Sequence, residues 1–587
     1  MLTAQGDVSL IMASRQPQSF GFQSIGAMLL AAADKAPEKI FLEQYIDGQW
    51  QSLSFEQARD QAARIARGLL ALELNGERPL AILSPNSINH ALMSLGAQLA
   101  GIPVAPISVA YSQMEDLGRL TGILELLTPG AVFVENLAQF RSAVSLVKQR
   151  NIAIIAATGD TERQYIRFSD LRDSTSDAAL PELSCETVAK VLFTSGSTGV
   201  PKGVMITHGM MCSNQEAILN SWSFLAQDPP TLVDWLPWNH VFGGNLVFNC
   251  ALRNLGTLVI DDGKPLPGWF QRTIDNIKRS PPTMHLSVPS ALGELVKAMR
   301  GDAELAAAFF RRLKAIFSAG AALPQATWDS LHDFARQYGL PEFRIYIGWG
   351  STETAPVVSI TPQDNTLCNN LGAPIGGARI KLAGDQDKIE LRIRGPMVFP
   401  GYWRNPEATA AAFDEEGFYR IGDAGKPVDY QRPGAGILFD GRVAENFKLV
   451  TGTWVQAGKL RVEAISAASP VIMDAVVTGH DRDEVGLLIF PDLAGCRTVA
   501  GAPDAKLSDL IANPRVHEAI RSGLSTFARG GSSTRIGRVL LLDTPPSIAQ
   551  GEITDKGYIN QRAVLAHRSA LVALLYGDQL PPYAFKI

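Results

Sequence analysis

The stretch from Thr194 to Gly203, Thr194-Ser195-Gly196-Ser197-Thr198-Gly199-Val200-Pro201-Lys202-Gly203, constrains this chain more than any other. It follows the run Val188 to Phe193, whose apolar, β-branched character reads as a buried strand. A strand that empties into small hydroxyl residues and glycines, then a lysine, suits a polyphosphate. Glycines let the backbone approach the oxygens and present successive N–H groups, the hydroxyls add donors, and Lys202 supplies a point charge. Val200 and Pro201 separate the last loop glycine from the lysine, so the segment is not a Walker A loop. Taken alone, a flexible Ser/Gly linker is the plainer alternative.

The surrounding chain has 587 residues, 46% hydrophobic and 19% charged, with a formal net charge of −5. That length gives ample core for more than one domain. The mild acidity offers no electrostatic basis for a nucleic-acid or anionic-membrane partner. The N-terminal residues lack the basic start and apolar stretch of a signal peptide, and apolar segments such as 91–107 are broken by Gly and Pro. No membrane span and a cytoplasmic location are therefore expected. The five cysteines (185, 212, 250, 368 and 496) are scattered and odd in number, which argues against a disulfide framework or a structural zinc site. Any metal is expected to be a hard ion arriving with phosphate, Mg²⁺ above all.

Strand and helix patterns alternate from the start. Residues 39–45, 79–83, 131–134, 153–156 and 231–235 read as strands, and 101–107 as a short edge-like strand. Residues 54–72 form an amphipathic helix pattern beginning at a hydroxyl cap, and 89–100 a second helix. This is the rhythm of layered α/β subdomains. After about Asn370, short strands such as 389–394 are separated by Gly-Pro, Pro-Gly-Tyr and Asp-Glu-Glu-Gly turns, indicating a β-rich subdomain.

A second constellation is Ile345-Tyr346-Ile347-Gly348-Trp349-Gly350-Ser351-Thr352-Glu353-Thr354. A strand followed by glycines, a flat aromatic ring, hydroxyls and an acid can build a nucleotide pocket. Trp349 offers a face to adenine or a wall to an acyl group, Gly350 and Ser351 line the turn, and Thr352 can donate to a phosphate oxygen. Glu353, with Thr194, is a candidate Mg²⁺ ligand. Alone, the pattern also fits a strand-to-helix turn with a capping acid. Lys556 is a candidate for charge stabilisation, because a cation bridging two anions lowers the barrier to bringing them together. The alternative is a solvated lysine at a helix start.

Together these motifs resemble the adenylate-forming superfamily, which includes acyl- and aryl-CoA synthetases, luciferase and peptide-synthetase adenylation domains. The runs Gly530 to Arg538 and Pro545 to Arg562 are most similar to bacterial feruloyl-CoA synthases. The resemblance implies a large N-terminal domain over 1–440, made of two α/β subdomains and a β subdomain. A small mobile α+β domain, 441–587, would follow at Asp440-Gly441-Arg442.

The resemblance also implies roles that the residues alone do not. Asp423, in Gly417-Phe418-Tyr419-Arg420-Ile421-Gly422-Asp423, is placed on the ribose hydroxyls; by itself Gly-Asp reads as an ordinary turn. Arg442 joins it on ribose and phosphate. His240, in Trp238-Asn239-His240-Val241-Phe242-Gly243-Gly244, is placed at the acid's carboxylate, with Trp238, Phe242 and Gly244 shaping an apolar cavity; a lone histidine there otherwise reads as core. Ala319 and Gly320 lie beside adenine and acyl group, where small side chains admit a flat ligand. Lys448 is a second lysine, and Gly452 lines a pantetheine tunnel. Relatives carry Asp or Lys at the hinge where this chain has Ala444, Tyr where it has Trp349, Thr where it has Ile421, and Ser-Gly or Asn-Gly before the lysine, where it has Thr554-Asp555. Gly530-Gly531-Ser532-Ser533 superficially resembles a carrier-protein attachment serine, but no carrier bundle has room there.

The expected chemistry joins ATP and a carboxylic acid as acyl-AMP, then transfers the acyl group to coenzyme A. The expected acid is ferulate or a related hydroxycinnamate. Alternatives are a medium-chain fatty acid, another aryl acid, or loading of a separate carrier protein. The expected state is monomer or homodimer.

Overall fold

The computed structural model describes all residues except 1, 6–8, 115, 160–163, 195–200, 267, 385–388, 444, 548–549 and 554–558. The chain divides into two units. The larger takes in Met1–Gly384, Leu391–Ile421 and Pro427–Leu438; the smaller takes in Asp385–Glu390, Gly422–Lys426 and Phe439–Ile587.

In the larger unit, a seven-stranded sheet runs in the order Lys202–Thr207, Val188–Thr194, Val104–Pro106, Leu80–Leu83, Ala131–Asn136, Ala153–Thr158, Ile166–Arg167. All neighbours are parallel except the first two strands, which form an antiparallel hairpin with Thr194 opposite Lys202. The helix Phe55–Ala71 begins at Ser54, whose hydroxyl accepts from the Gln57 N–H at 3.2 Å while the Gln57 side chain accepts from the Ser54 N–H at 3.0 Å. This reciprocal cap answers two otherwise orphaned donors. The helix buries Ala58, Ala62, Ile65, Ala66 and Leu69, the spacing of one face.

The segment expected as an edge strand is an interior one. Val104–Pro106 pairs with strands on both sides and is fully buried. Pro103 lies just before the three paired residues and Pro106 closes them, so the missing N–H groups fall at the strand's ends.

Two further sheets carry the rest of the α/β part. One has the order Thr231–Asp234, Thr257–Ile260, Ile40–Ile46, Gln49–Ser54; the other has Met284–Ser287, Ala315–Ala319, Arg344–Gly350, Val357–Ile360, Ala373–Pro374. In the β-rich part, Ser9–Ala13 pairs antiparallel with Arg379–Ala383, joining residues from opposite ends of the unit's sequence.

The smaller unit contains a sheet of order Ile472–Thr478, Val485–Pro491, Ile536–Leu541, Ala584–Lys586. Alternate residues feed two cores. Val477, Leu487 and Val539 pack with Leu460, Ile520 and Leu524 of the helices Ala457–Ala467 and Pro514–Ala528. Val476, Leu488 and Leu540 pack with Val564 and Leu575 of Gln561–His567 and Ser569–Leu575. Burial on both faces explains why Val485 to Phe490 is continuously apolar rather than alternating.

Candidate active site

In the larger unit, the phosphate-loop strand ends at Thr194 and the chain resumes its pairing at Lys202. Residues Ser195, Gly196, Ser197, Thr198 and Gly199 lie outside the described residues, as do Ala444 and Lys556. The strand that starts at Lys202 is joined on its other side by 401–403. The Trp403 N–H donates to the Gly203 carbonyl at 2.7 Å, the Met205 N–H donates to the Gly401 carbonyl at 3.2 Å, and Val204 bridges Tyr402.

That pairing places Tyr402 between two of the candidate residues. Its ring lies 4.9 Å from Lys202 Nζ, and its hydroxyl donates to Glu353 Oε1 at 3.1 Å. Burial, then the neighbouring Glu353 carboxylate, push the Tyr402 phenol well up, so it stays a neutral donor. Glu353 is itself buried, in a short 3₁₀ turn Thr352–Thr354, and its backbone carbonyl accepts from the Phe399 N–H at 2.8 Å. A buried carboxylate oriented by a phenol retains acceptor positions for a hard cation, because each oxygen offers two lone pairs. The donor set thus fits Mg²⁺ held together with phosphate oxygens. Among the described residues, no group of three His, Cys, Asp or Glu side chains is placed to hold a metal by itself. Tyr402 belongs to the Pro400-Gly401-Tyr402 turn, which the sequence marks only as a turn.

The turn before Glu353 depends on Gly350. Its φ is +156°, and a Cβ there would sit 1.7 Å from the Pro356 carbonyl oxygen. Trp349, on the strand Arg344–Gly350, is largely buried, while Ser351 and Thr352 are half-buried. Ala319 ends the neighbouring strand and Gly320 follows at φ +92°.

His240 precedes a π-helical turn, Phe242–Val247. π-helical turns concentrate at functional sites because they displace a backbone segment by one residue. Gly243 and Gly244 are required here by backbone approach: a Cβ on either would come 2.3 Å from the carbonyl oxygen of Leu236 or Trp238, respectively. Asn86 clamps the same segment, donating to the Leu236 carbonyl and accepting from the Trp238 N–H, both at 2.9 Å. The Phe242 ring meets Phe317 edge-on at 5.8 Å, and Trp222 lies 5.1 Å from Phe317 and 5.6 Å from Tyr346. Trp238 turns elsewhere. Its ring packs edge-to-face on His90 and Phe248, each at 5.1 Å, beside a small cavity that Lys190 and Asn249 also line. Lys190 has no counterpart in the motif reading, being hidden inside an apolar strand pattern.

In the smaller unit, Asp423 and Arg442 stand on neighbouring segments joined by the Val443 N–H to Gly422 carbonyl bond of 2.8 Å, and Arg442 Nε is 3.4 Å from Asp423 Oδ1. Asp423 is buried and Arg442 is exposed. Lys448 pairs with Trp454 in a two-stranded ribbon, its Nζ 5.0 Å from the indole. Gly452 turns that ribbon at φ +81°, with no atom close to where a Cβ would be, so the turn alone demands glycine. Residues 530–533 form the turn between a helix and the strand Ile536–Leu541. All five cysteines are free thiols, and no helix among the described residues is long and apolar enough to cross a membrane.

The family described as AMP-binding enzyme matches residues 29–403, and its C-terminal domain matches residues 447–579. A 4-coumarate–CoA ligase of Pinus taeda is 27% identical over 447 residues, covering 72% of this chain and 77% of that protein. A long-chain-fatty-acid–CoA ligase of Escherichia coli O157:H7 is 32% identical over 273 residues, 42% of this chain and 46% of that protein. The crystal structure of ATP-bound MatB from Rhodopseudomonas palustris superposes with a TM-score of 0.73 at 21% identity, covering 94% of this chain and all of that one. With the large α/β unit and the smaller α+β unit, these matches place the chain among the AMP-binding, adenylate-forming enzymes.

Proposed function

We propose that the chain is an AMP-forming acid–CoA ligase acting on a hydroxycinnamate such as ferulate. In the first half-reaction, a carboxylate oxygen attacks the α-phosphorus of ATP and pyrophosphate leaves. In the second, a thiolate attacks the acyl carbon, the thioester forms and AMP leaves. Lys202 and the loop 194–199 would hold the phosphates, Asp423 and Arg442 the ribose, and Ala319, Gly320 and Trp349 to Thr352 the base and acyl group. Glu353, with Thr194, would hold Mg²⁺, which when bound neutralises phosphate charge. His240 would orient the carboxylate, Lys556 would bridge the two anions, and Lys448 and Gly452 would serve the thiol step.

The observation that supports an aromatic acid is the contact of Phe242 with Phe317, backed by Trp222 and Tyr346. Rings at these separations favour a planar ligand that can meet them edge-on or offset. The 4-coumarate–CoA ligase match points the same way. A conjugated acid also loses fewer torsions on entry than an alkyl chain. Pyrophosphate and AMP release should be measured across ferulate, 4-coumarate, caffeate, benzoate and octanoate, with and without CoA. Ferulate or 4-coumarate should exceed octanoate in kcat/KM by about tenfold, about 1.4 kcal/mol. Octanoate at or above them would overturn the aromatic assignment. CoA-independent release without thioester would favour a separate carrier.

A further inference from the structure

A π-helical turn interrupts the regular i→i+4 ladder, and here its carbonyls also take side-chain donors. In the turn Phe242–Val247, side chains from two other elements answer three successive carbonyls. Lys190 Nζ donates to the Gly244 oxygen at 2.6 Å, and Gln215 Nε2 donates to the oxygens of Asn245 and Leu246, each at 3.4 Å. The Gly244 N–H in turn donates to the His240 carbonyl at 2.8 Å. A single residue, Gly244, therefore links the Lys190 side chain to the backbone of His240.

Lys190 lies four positions before Thr194 (194 − 190) in the strand that leads to the phosphate loop. It is 6% exposed and lines a cavity of about 10 Å³, with His90, Gln98 and Asn249 among its other walls. The buried Gln98 Oε1 and Asn249 Nδ2 atoms lack protein partners, so the largely apolar chamber carries polar groups and has room for about one water. An ammonium in such a place is expensive compared with a methionine of similar volume. The charge needs a reason other than filling space.

We infer that Lys190 is a positioning residue for the acid, fixing the turn that follows His240 to the strand that carries the phosphate loop. The inference rests on the proposed roles of His240 and Phe242 at the acid. It assigns the side chain a specific effect: loss of the ammonium lets the His240–Phe242 segment drift relative to Thr194. The meeting of carboxylate and phosphate suffers, while the nucleotide keeps its own contacts.

The test uses the full chain and whichever acid the wild type activates best in the panel above. Lys190→Met is expected to raise KM for the acid about tenfold or more, the scale of one hydrogen bond to a charged donor, with KM for ATP within about twofold of wild type. Lys190→Gln, whose shorter amide reaches less far, should give a smaller rise of the same kind. The Lys190→Met protein should melt near the wild-type temperature, because removal of a buried charge offsets the carbonyl left without its donor. Parallel rises in both KM values, or a lowered melting temperature with acid KM unchanged, would overturn the inference. If Lys190→Met does not fold, Lys190→Gln decides on the same split; failure of both to fold marks a structural residue and also overturns it. A wild type that activates no acid refutes the functional reading itself, a result separate from any variant.

Discussion

The Arg568 guanidinium closes on the Glu552 carboxylate with two hydrogen bonds, Nε to Oε1 at 2.9 Å and Nη2 to Oε2 at 2.7 Å, in a pair almost wholly shielded from solvent. The Ser547 N–H also donates to Glu552 Oε2, at 2.9 Å, and Arg568 donates to the carbonyls of Thr544 and Pro545. The flanking residues also pair: the Asn560 N–H donates to the Glu552 carbonyl at 2.8 Å, and Ile553 bridges Ile559. One ion pair thus ties together the residues on both sides of 554–558.

Removing one partner of such a pair leaves the other charge buried without compensation. Arg568→Met is expected to destabilise the smaller unit by about 3–5 kcal/mol, read by urea unfolding. Burial pushes the Glu552 carboxyl up, but Arg568 and the Ser547 N–H outweigh it and hold it below its ordinary value. A depressed carboxyl contributes stability that is present above its unfolded value and lost as pH falls through the folded one. The stability gap between wild type and Glu552→Gln should therefore be widest near neutrality and shrink below about pH 4.5. A gap constant from pH 7 to pH 3 would refute the ionic role.

Tyr402→Phe keeps the ring beneath Lys202 and deletes the hydroxyl that donates to Glu353 and also meets the Tyr419 hydroxyl. The fold should survive with a loss of about 1.5–3 kcal/mol, the usual scale for one hydrogen bond to a charged group. The proposed Mg²⁺ role of Glu353 predicts that pyrophosphate release then needs more Mg²⁺ at half-saturation, since the carboxylate loses one of the two phenols that orient it. Superimposable titration curves for wild type and variant would separate Tyr402 from metal binding.

The βα rhythm, the Ser54 cap and the turn glycines were legible because each is written in neighbouring residues. Gly350 shows the limit: its place in a strand–turn motif was visible, but its near-collision with Pro356 was not. Proline at 103 and 106 suggested an edge because a missing N–H disrupts a ladder. Tertiary pairing set the paired residues between those constraints. Pairing of Ser9–Ala13 with Arg379–Ala383 leaves no local trace. Tyr402 was disguised as part of a Pro-Gly turn, and Lys190 by the five apolar residues of its strand. In both cases the partner is contributed by a distant segment, which periodicity cannot reveal.

Burial pulls the Lys190 ammonium down to about 7, and burial, with repulsion from Lys190, pulls His90 and His208 down to about 4. For all three, the unfolded chain binds more protons than the folded one between the folded and unfolded values, so stability rises with pH across those windows. The histidines act from about 4 to 6.5, the lysine from about 7 to 10.5. At about 1.4 kcal/mol per unit, the lysine's share is a few kcal/mol. Lys190→Met should therefore gain least relative to wild type at high pH. Its stability difference from wild type, measured by urea unfolding at pH 7 and pH 9.5, should move in wild type's favour at the higher pH. No change between the two would mean that Lys190 does not titrate in that window.

The two half-reactions place different charge demands on Lys556. Forming the acyl-AMP brings a carboxylate against a phosphate and spreads negative charge over a five-coordinate phosphorus, so a cation bridging both lowers the barrier. In the thioester step the acyl carbon is already activated as a mixed anhydride, the attacking group is a thiolate, and AMP leaves readily; no carboxylate has to be held against a phosphate, so that bridging role falls away. Lys556→Ala is therefore expected to slow acyl-AMP formation by about 10²-fold or more, the scale of one preorganised electrostatic group. Thioester formation from supplied acyl-AMP and CoA should stay close to wild type. Lys556→Arg, which keeps the charge but changes its reach, should recover only part of the first step. Rapid-quench measurement of the two steps separates these outcomes. Equal losses in both would assign Lys556 to the stability of the smaller unit rather than to adenylation.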